Sequence, residues 1–335
     1  MVIMVTEPAI SVRGLRVGYI SDSGLTTVLR NVTIDIPSNK ITGIAGESGS
    51  GKSTLASAIM KFINPPMLVE SGSIIVDGKY DVLSMDNEQV NEIRGKLISF
   101  VPQAAQNSLN PIRKVKEIFF DVLKSRGMDY YSNINVIYRA LEDVGFSDKQ
   151  VLDMYPFQLS GGMRQRVVIA VSLILDPRIV IMDEPTTGLD VVVQHEILKL
   201  IKRLQKEKSL SLLIISHDIA MLFQISDYIA VMYGGQVLEY GSYETLLEDA
   251  YNPYTYLLLH SVPTITSRGK KLPRIPGDFE GFGRYPKGCV FSSRCPFATD
   301  TCREVPPEKV SYDQYGFYIC SRYPEWKKEV KKIYE

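Results

Sequence analysis

Apolar and polar residues alternate along Ile10-Ser11-Val12-Arg13 and again along Val32-Thr33-Ile34-Asp35-Ile36. That period of two predicts half-buried antiparallel strands between Ile10 and Ile36. The pattern then changes: Ile41 to Ala45 is a short apolar strand entering a Gly/Ser-rich loop, and a helical stretch follows from Lys52 through Phe62. Gly72 to Gly78 carries a second hairpin signal, and Leu97 to Pro102 is another short apolar strand. From about Ala104 to Leu175 the period is mostly helical, with amphipathic helices expected over Val115–Lys124 and Val136–Val144. Strands at Ile179–Met182 and Leu212–Ile215 flank a helix expected over Gln194–Gln205, the βαβ alternation of a mainly parallel sheet. The core is therefore α/β. From about Pro263 the chain turns to Pro, Gly, Arg and Cys, and Lys270 to Gly277 reads as a linker into a second, smaller domain.

A chain of 335 residues exceeds what one compact core usually covers, which agrees with a large domain plus an appendage. Its composition, 45% hydrophobic and 23% charged, is that of a globular protein. Lys+Arg and Asp+Glu balance at 38 each, which argues against a basic surface built to coat nucleic acid. The longest apolar run, Val167 to Leu175, is interrupted by Ser172 and falls far short of the ~18 residues of a spanning helix. Met1 to Val5 is too short, and lacks the basic flank, for a secretory signal. The expectation is a cytoplasmic protein that reaches any membrane through partners.

Candidate chemistry begins at Gly46-Glu47-Ser48-Gly49-Ser50-Gly51-Lys52-Ser53, a P-loop string with a strand before it and a helix after it. Such a loop curls backbone N–H groups round phosphate oxygens, and the helix N-terminus adds a favourable dipole. Lys52 would neutralise the β- and γ-phosphates, and Ser53 would ligate Mg²⁺, with Gly46, Ser48, Gly49, Ser50, Gly51 and Thr54 completing the nucleotide cradle. Farther on, the strand Ile179 to Met182 ends in Asp183-Glu184, at the edge where doubly wound sheets bind ligands. Asp183 would hold the Mg²⁺ shell and Glu184 would polarise the attacking water. Alone, two acids after an apolar strand are commonplace; together with the P-loop they make a nucleotide-hydrolysing pair.

Leu159-Ser160-Gly161-Gly162-Met163-Arg164-Gln165-Arg166 resembles the signature motif of ABC ATPases. The resemblance implies that Ser160, Gly161 and Gly162 sit on a helical subdomain and bind the γ-phosphate of ATP held by an opposite subunit. It also implies that Gln103 is the Q-loop residue sensing Mg²⁺ and γ-phosphate, Asp190 belongs to the D-loop, His217 is the switch histidine, and Tyr19 stacks on adenine. Gly188 stands in the D-loop where alanine is commoner in the family. His195 and His260 lie in no motif and read as structural. Because the signature acts in trans, the family resemblance implies a head-to-tail dimer closing on two ATP molecules. One P-loop and one signature per chain mean that the second half is another polypeptide, identical or related.

All four cysteines fall in the last fifth of the chain: Cys289, then five residues, Cys295, six residues, Cys302, seventeen residues and Cys320. In a cytoplasmic chain metal binding leads and two disulfides trail. The pairs of structural zinc, two to four residues apart, are absent, so zinc stands second to a [4Fe–4S] cluster, although spacing decides little. Gly288-Cys289, Phe291, Arg294-Cys295-Pro296, Ser261-Val262-Pro263 and Ile275-Pro276-Gly277 resemble the C-terminal region of ATPase subunits from oligopeptide/dipeptide importers, as do Ser108 to Pro111 and Tyr155-Pro156. That resemblance implies an iron–sulfur cluster on the four cysteines. A structural role for it is favoured over redox sensing. The charged stretch Trp326 to Glu335 is expected to be a solvated helix.

The expected architecture is an α/β P-loop NTPase core of the ABC ATPase type over residues 1–260, with an antiparallel β subdomain and a helical subdomain at about 104–175. Residues 261–335 would form a linker and a small, loop-rich C-terminal metal domain. The expected function is that of an ATPase subunit, peripheral on the cytoplasmic face of the membrane, powering uptake of oligopeptides, dipeptides or oligosaccharides. Its implied partners are two transmembrane permeases, a second ABC ATPase and, indirectly, an extracellular solute-binding protein, with no nucleic acid. Two rivals are a soluble ABC ATPase acting on ribosomes or DNA, and an iron–sulfur regulator that binds ATP without hydrolysing it. The single cassette without a long coiled-coil insertion disfavours the first, and intact Glu184 and His217 disfavour the second.

Overall fold

A computed structural model describes residues 7–103, 108–261, 272–278, 281 and 285–334. The start of the chain, the residues directly after Gln103, Val262 and Pro263, and the first two residues of the expected linker, Lys270 and Lys271, lie outside the described residues. The chain divides into two compact units, one of residues 1–85 with 216–335 and one of residues 86–215.

In the first unit, β1 (Ile10–Ser21) and β2 (Gly24–Ile36) pair antiparallel from Ile10 opposite Ile36 to Ser21 opposite Gly24. On its other edge β1 pairs with β4 (Met67–Val76), which pairs with β5 (Tyr80–Asp81). Both long strands run well beyond the short alternating stretches read from the sequence. Register shifts at Val12/Leu15, Leu15/Val17 and Val17/Gly18 explain why, because each bulge flips the inward face and breaks the period of two. A second sheet in this unit begins with β3 (Ile41–Ala45), parallel to β9 (Tyr228–Tyr233). Beyond β9 come β10 (Gln236–Ser242), β12 (Phe317–Ile319) and β11 (Lys309–Ser311), each antiparallel to its neighbour. Every residue of β3 is buried, as its uniformly apolar sequence requires. Helix α1 (Lys52–Ile59) follows β3 and stops before Lys61, whose φ of 52° is left-handed, so it ends short of Phe62.

The C-terminal segment lies within this first unit, where β12 extends the sheet from Tyr240 opposite Phe317. Helices α7 (Ile219–Ile225), α8 (Tyr243–Asp249), α9 (Pro253–His260) and α10 (Asp300–Glu304) accompany it. The last helix, α11 (Glu325–Tyr334), corrects the expectation of a solvated tail. Trp326 is fully buried against Phe297 and Val330, and its indole N–H donates to the Tyr251 carbonyl at 3.1 Å. The charges occupy the other positions of an amphipathic helix, and a reading by overall charge missed the single apolar stripe.

In the second unit β6 (Ile98–Val101), β7 (Ile179–Asp183) and β8 (Ser211–Ile215) form parallel pairs with β7 central, Ile181 lying opposite Phe100 and Leu213. All five residues of β7 are buried. Ahead of them lies α2 (Asn87–Ile93), closed by an Asp86/Gln89 capping box. Helix α3 (Val115–Lys124) buries Val115, Phe119 and Leu123, and α4 (Ile134–Asp143) buries Ile137, Ala140 and Leu141. Both helices pack on α5 (Gly161–Leu173), whose buried residues run from Gly162 and Gln165 through Val167–Ala170 to Ser172 and Leu173. Helix α6 (Val191–Lys208) begins three residues earlier than the sequence period implies, because Asp190 caps it and carries the β-branched run Val191-Val192-Val193 into its first turn. Among the described residues no helix is long and apolar enough to cross a membrane.

Candidate active site

The P-loop leaves the buried end of β3 through Gly46, whose φ is 150°. A side chain cannot stand there: a Cβ would lie 2.2 Å from the Met232 carbonyl oxygen and 2.9 Å from Ser50 Oγ. The loop thus runs against β9 with no room to rise. Lys52, 6% exposed, donates its ammonium to the carbonyls of Gly46 at 2.8 Å and Glu47 at 2.9 Å and to Ser50 Oγ at 3.5 Å. The lysine therefore lies inside the curl of the loop, where phosphate charge would meet it. Ser48, Gly49 and Ser53 are exposed, and Gly51, with φ 102°, sits at the N-cap of α1. Ser53 thereby lies in the first turn of the helix, where the N–H groups have no intrahelical acceptor and favour an anion. Tyr19 on β1 brings its hydroxyl to 3.3 Å from Thr54 Oγ1, so the aromatic assigned to adenine stands beside the phosphate-binding helix. In the same unit His217 is exposed, immediately ahead of Asp218, whose carboxylate caps α7 by accepting from Met221 N at 3.0 Å.

In the second unit β7 delivers Asp183, 4% exposed, at its end. Glu184 then turns out of the strand in the left-handed region, φ 49°, with its N–H donating to Ile215 O at 2.9 Å. A non-glycine residue at such a φ is uncommon. Thr187 Oγ1 donates to Glu184 Oε2 at 2.7 Å, and Gln103 Nε2 reaches the same oxygen at 3.5 Å. Gln103 and Glu184, eighty-one positions apart, are thus brought together. Thr187 went unassigned in the sequence because a hydroxyl three residues past an acid is an ordinary turn feature.

The signature segment forms the N-terminus of α5. Ser160 is its N-cap, its Oγ accepting from Met163 N at 3.3 Å, and Gly161 and Gly162 are the first helical residues. A Cβ on Gly162 would stand 2.7 Å from Val193 Cγ1 of α6, so only glycine lets the two helix starts approach this closely. Ser160, Gly161 and Gly162 line a cavity of about 350 Å³ with Gly188, Leu189 and Asp190. Asp190 is committed to capping α6, accepting from Val192 N at 3.1 Å and Val193 N at 3.0 Å. Signature and D-loop residues therefore form one surface, with Val191 80% and Val192 70% exposed beside it.

Cys289, Cys295, Cys302 and Cys320 line a single cavity, and none is in a disulfide. Burial pushes the Cys289 thiol up to about 11 and those of Cys295 and Cys320 up to about 12. Cys302 goes the other way: burial raises it, but hydrogen bonds from Thr299 and Ser321 and the charge of Arg322 outweigh that. Thr299 Oγ1 lies 3.4 Å from its sulfur. Four thiols on one cavity are the donor set a thiolate-bound metal centre would use. Among the described residues, however, no three His, Cys, Asp or Glu side chains are gathered as a single metal ion would require.

Residues 29–187 match the family model described as ABC transporter, and residues 238–302 match that of the oligopeptide/dipeptide transporter C-terminal region. The dipeptide transport ATP-binding protein DppD of Caldanaerobacter subterraneus subsp. tengcongensis is 39% identical over 94% of this chain and 97% of its own length. The chain belongs to the ABC transporter family. Also similar is the oligopeptide transport ATP-binding protein OppD of Haemophilus influenzae, 36% identical over 90% of this chain and 93% of its own. Among solved structures, the dimeric ATP-binding cassette MJ0796 in a post-hydrolysis state bound to ADP and Pi superposes with a TM-score of 0.61 at 26% identity, covering 70% of this chain and 98% of that one.

This ABC cassette is an ATPase, and it works with permease subunits and as a dimer. One feature of its P-loop was not legible in the motif. Glu47, a variable position of the string, accepts a forked pair of hydrogen bonds from Arg294 at 2.6 and 3.1 Å, and its N–H donates to Tyr254 Oη at 3.1 Å. Arg294 stood in the sequence only as part of the family resemblance around Cys295. A pairing across 247 positions has no local signal.

Proposed function

We propose that this chain is one of two ATPase subunits that power a peptide importer from the cytoplasmic face of the membrane, bound to two permeases that receive cargo from an extracellular binding protein. The observation that carries this reading is the joint presence of a complete phosphate-handling set and the C-terminal region of oligopeptide/dipeptide transporters in one chain. The peptide cargo rests on relatives named for dipeptide and oligopeptide transport.

Lys52 and the P-loop amides bind and orient the triphosphate, and Tyr19 stacks on adenine. Ser53, Gln103 and Asp183, all oxygen donors, suit Mg²⁺, which when bound neutralises charge on the β- and γ-phosphates. Glu184, fixed by Thr187 and Gln103, takes the proton of the attacking water. Ser160, Gly161 and Gly162 offer a capped helix N-terminus to the γ-phosphate of the partner subunit's ATP, and Asp190 shapes that surface. His217 contacts the γ-phosphate from the turn before α7. The exposed Val191 and Val192 beside the signature support an interface there.

A groove of about 330 Å³ is lined by Phe100 and Pro102 before Gln103 and by Leu109, Ile118, Val122 and Leu175 after it, and we assign it, with the helical segment after Gln103, to a permease. Movement of that segment on ATP binding transmits dimer closure to the membrane partners. The four cysteines hold a [4Fe–4S] cluster in this reading. The cysteines would supply its thiolate ligands, and they line one cavity.

The test is to tag Glu184→Gln in its own host, solubilise membranes with ATP present and identify what co-purifies. Two permeases and a second ATPase are expected, and the associated binding protein is expected to hold peptides. Recovery with ribosomes or DNA and no membrane protein would replace the importer with the soluble ATPase.

A further inference from the structure

Arg294 of the C-terminal segment reaches the P-loop. Arg294, 7% exposed, places Nη1 at 2.6 Å and Nη2 at 3.1 Å from the two oxygens of Glu47. Its remaining donors are all spent on holding it still: Nε donates to Pro276 O at 2.8 Å, Nη2 also to Gly277 O at 2.8 Å, and Nη1 also to Tyr233 Oη at 3.3 Å. Beneath it Tyr233, Tyr254 and Phe291 form an aromatic cluster with centroids 4.8 to 5.2 Å apart. Tyr254 uses its hydroxyl to accept the Glu47 N–H at 3.1 Å. Glu47 is therefore fixed at both its carboxylate and its amide, by residues that take no part in phosphate chemistry.

We infer that Arg294 is a positioning residue for ATP, holding Glu47 and with it the P-loop in the phosphate-binding curl and cancelling the Glu47 carboxylate beside the triphosphate. This deepens the reading of that loop as the ATP site and rests on it. Two physical consequences follow. An unpinned loop must be ordered by the nucleotide, at a backbone cost set by the residues that regain freedom. A half-buried carboxylate stripped of its partner, its side chain 28% exposed, also repels a polyanion, and a forked arginine is not replaced by the point charge of lysine.

The experiment measures the Kd for MgATP and the turnover of full-length wild type, Arg294→Met, Arg294→Lys and the double variant Arg294→Met/Glu47→Gln. Arg294→Met is expected to weaken ATP about tenfold, which is about 1.4 kcal/mol, with kcat at saturating ATP within about threefold of wild type. The double variant, which removes the stranded charge, is expected to recover most of the lost affinity. A purely structural arginine would give no such rescue. Should Arg294→Met fail to fold, Arg294→Lys decides: about threefold weaker ATP binding supports the role. Wild-type affinity in the folded Arg294→Met protein, or in Arg294→Lys where that one decides, overturns the inference, as does an Arg294→Met defect that Glu47→Gln leaves untouched. Wild-type turnover, measured alongside, reports on the ATPase reading separately.

Discussion

Glu239 on β10 is fully buried, and its carboxylate accepts from Tyr251 N at 2.6 Å and Asn252 N at 3.0 Å, just ahead of α9. Burial pushes its carboxyl up from 4.5 to about 7, against the pull of these hydrogen bonds and of Lys327. Between those two values the folded chain keeps a proton that the unfolded chain has released. Stability therefore falls as pH rises through that window, is highest below about 4.5 as far as this group is concerned, and bears the full penalty above about 7. The span between the two values corresponds to about 3 kcal/mol. Glu239→Gln has no proton to lose, so its stability relative to wild type should rise with pH by about that amount, whatever its constant offset. Urea unfolding followed by far-UV circular dichroism across the window measures the difference, and the few histidines cancel because both proteins share them. A wild-type-minus-variant difference that stays flat with pH would refute the account of Glu239 as a buried, protonated acid.

Gly46→Ala should abolish ATP binding by calorimetry with the fold intact, because its Cβ would meet the Met232 carbonyl at 2.2 Å; wild-type affinity would show that the loop can move aside. Trp326→Ala should lower stability by ~3–5 kcal/mol in chemical denaturation, since the ring is fully buried on Phe297 and loses its bond to Tyr251. An unchanged midpoint would return α11 to a solvated role. Anaerobically purified protein should be brown with about four irons per chain; colourless protein holding one zinc would overturn the cluster.

What the sequence made legible was local. The P-loop string, the acids after β7 and the signature string from Leu159 each depend on residues that are neighbours in the chain, so their chemistry shows as a pattern. The α/β alternation was equally plain, because β3, β7 and β8 are buried throughout and α3 and α4 carry clean stripes. Strand lengths were not, since the bulges of β1 break its period. Tertiary relations without a motif stayed hidden: Glu47 with Arg294 and Trp326 under Tyr251 are joined only by the fold. The cysteines lie between these cases. Their clustering in sequence reads as a ligand set, and the structure shows that all four line one cavity.

The central claim is that Glu184 drives ATP hydrolysis in a site completed by a second cassette. Glu184→Gln keeps the shape held by Thr187 and Gln103 but cannot take a proton. Steady-state phosphate release, measured with size-exclusion chromatography in MgATP, tests this directly. The account predicts turnover lower by ~10²–10⁴-fold with ATP still bound and the dimer retained. Turnover close to wild type, or a variant that binds ATP and stays monomeric, would contradict it.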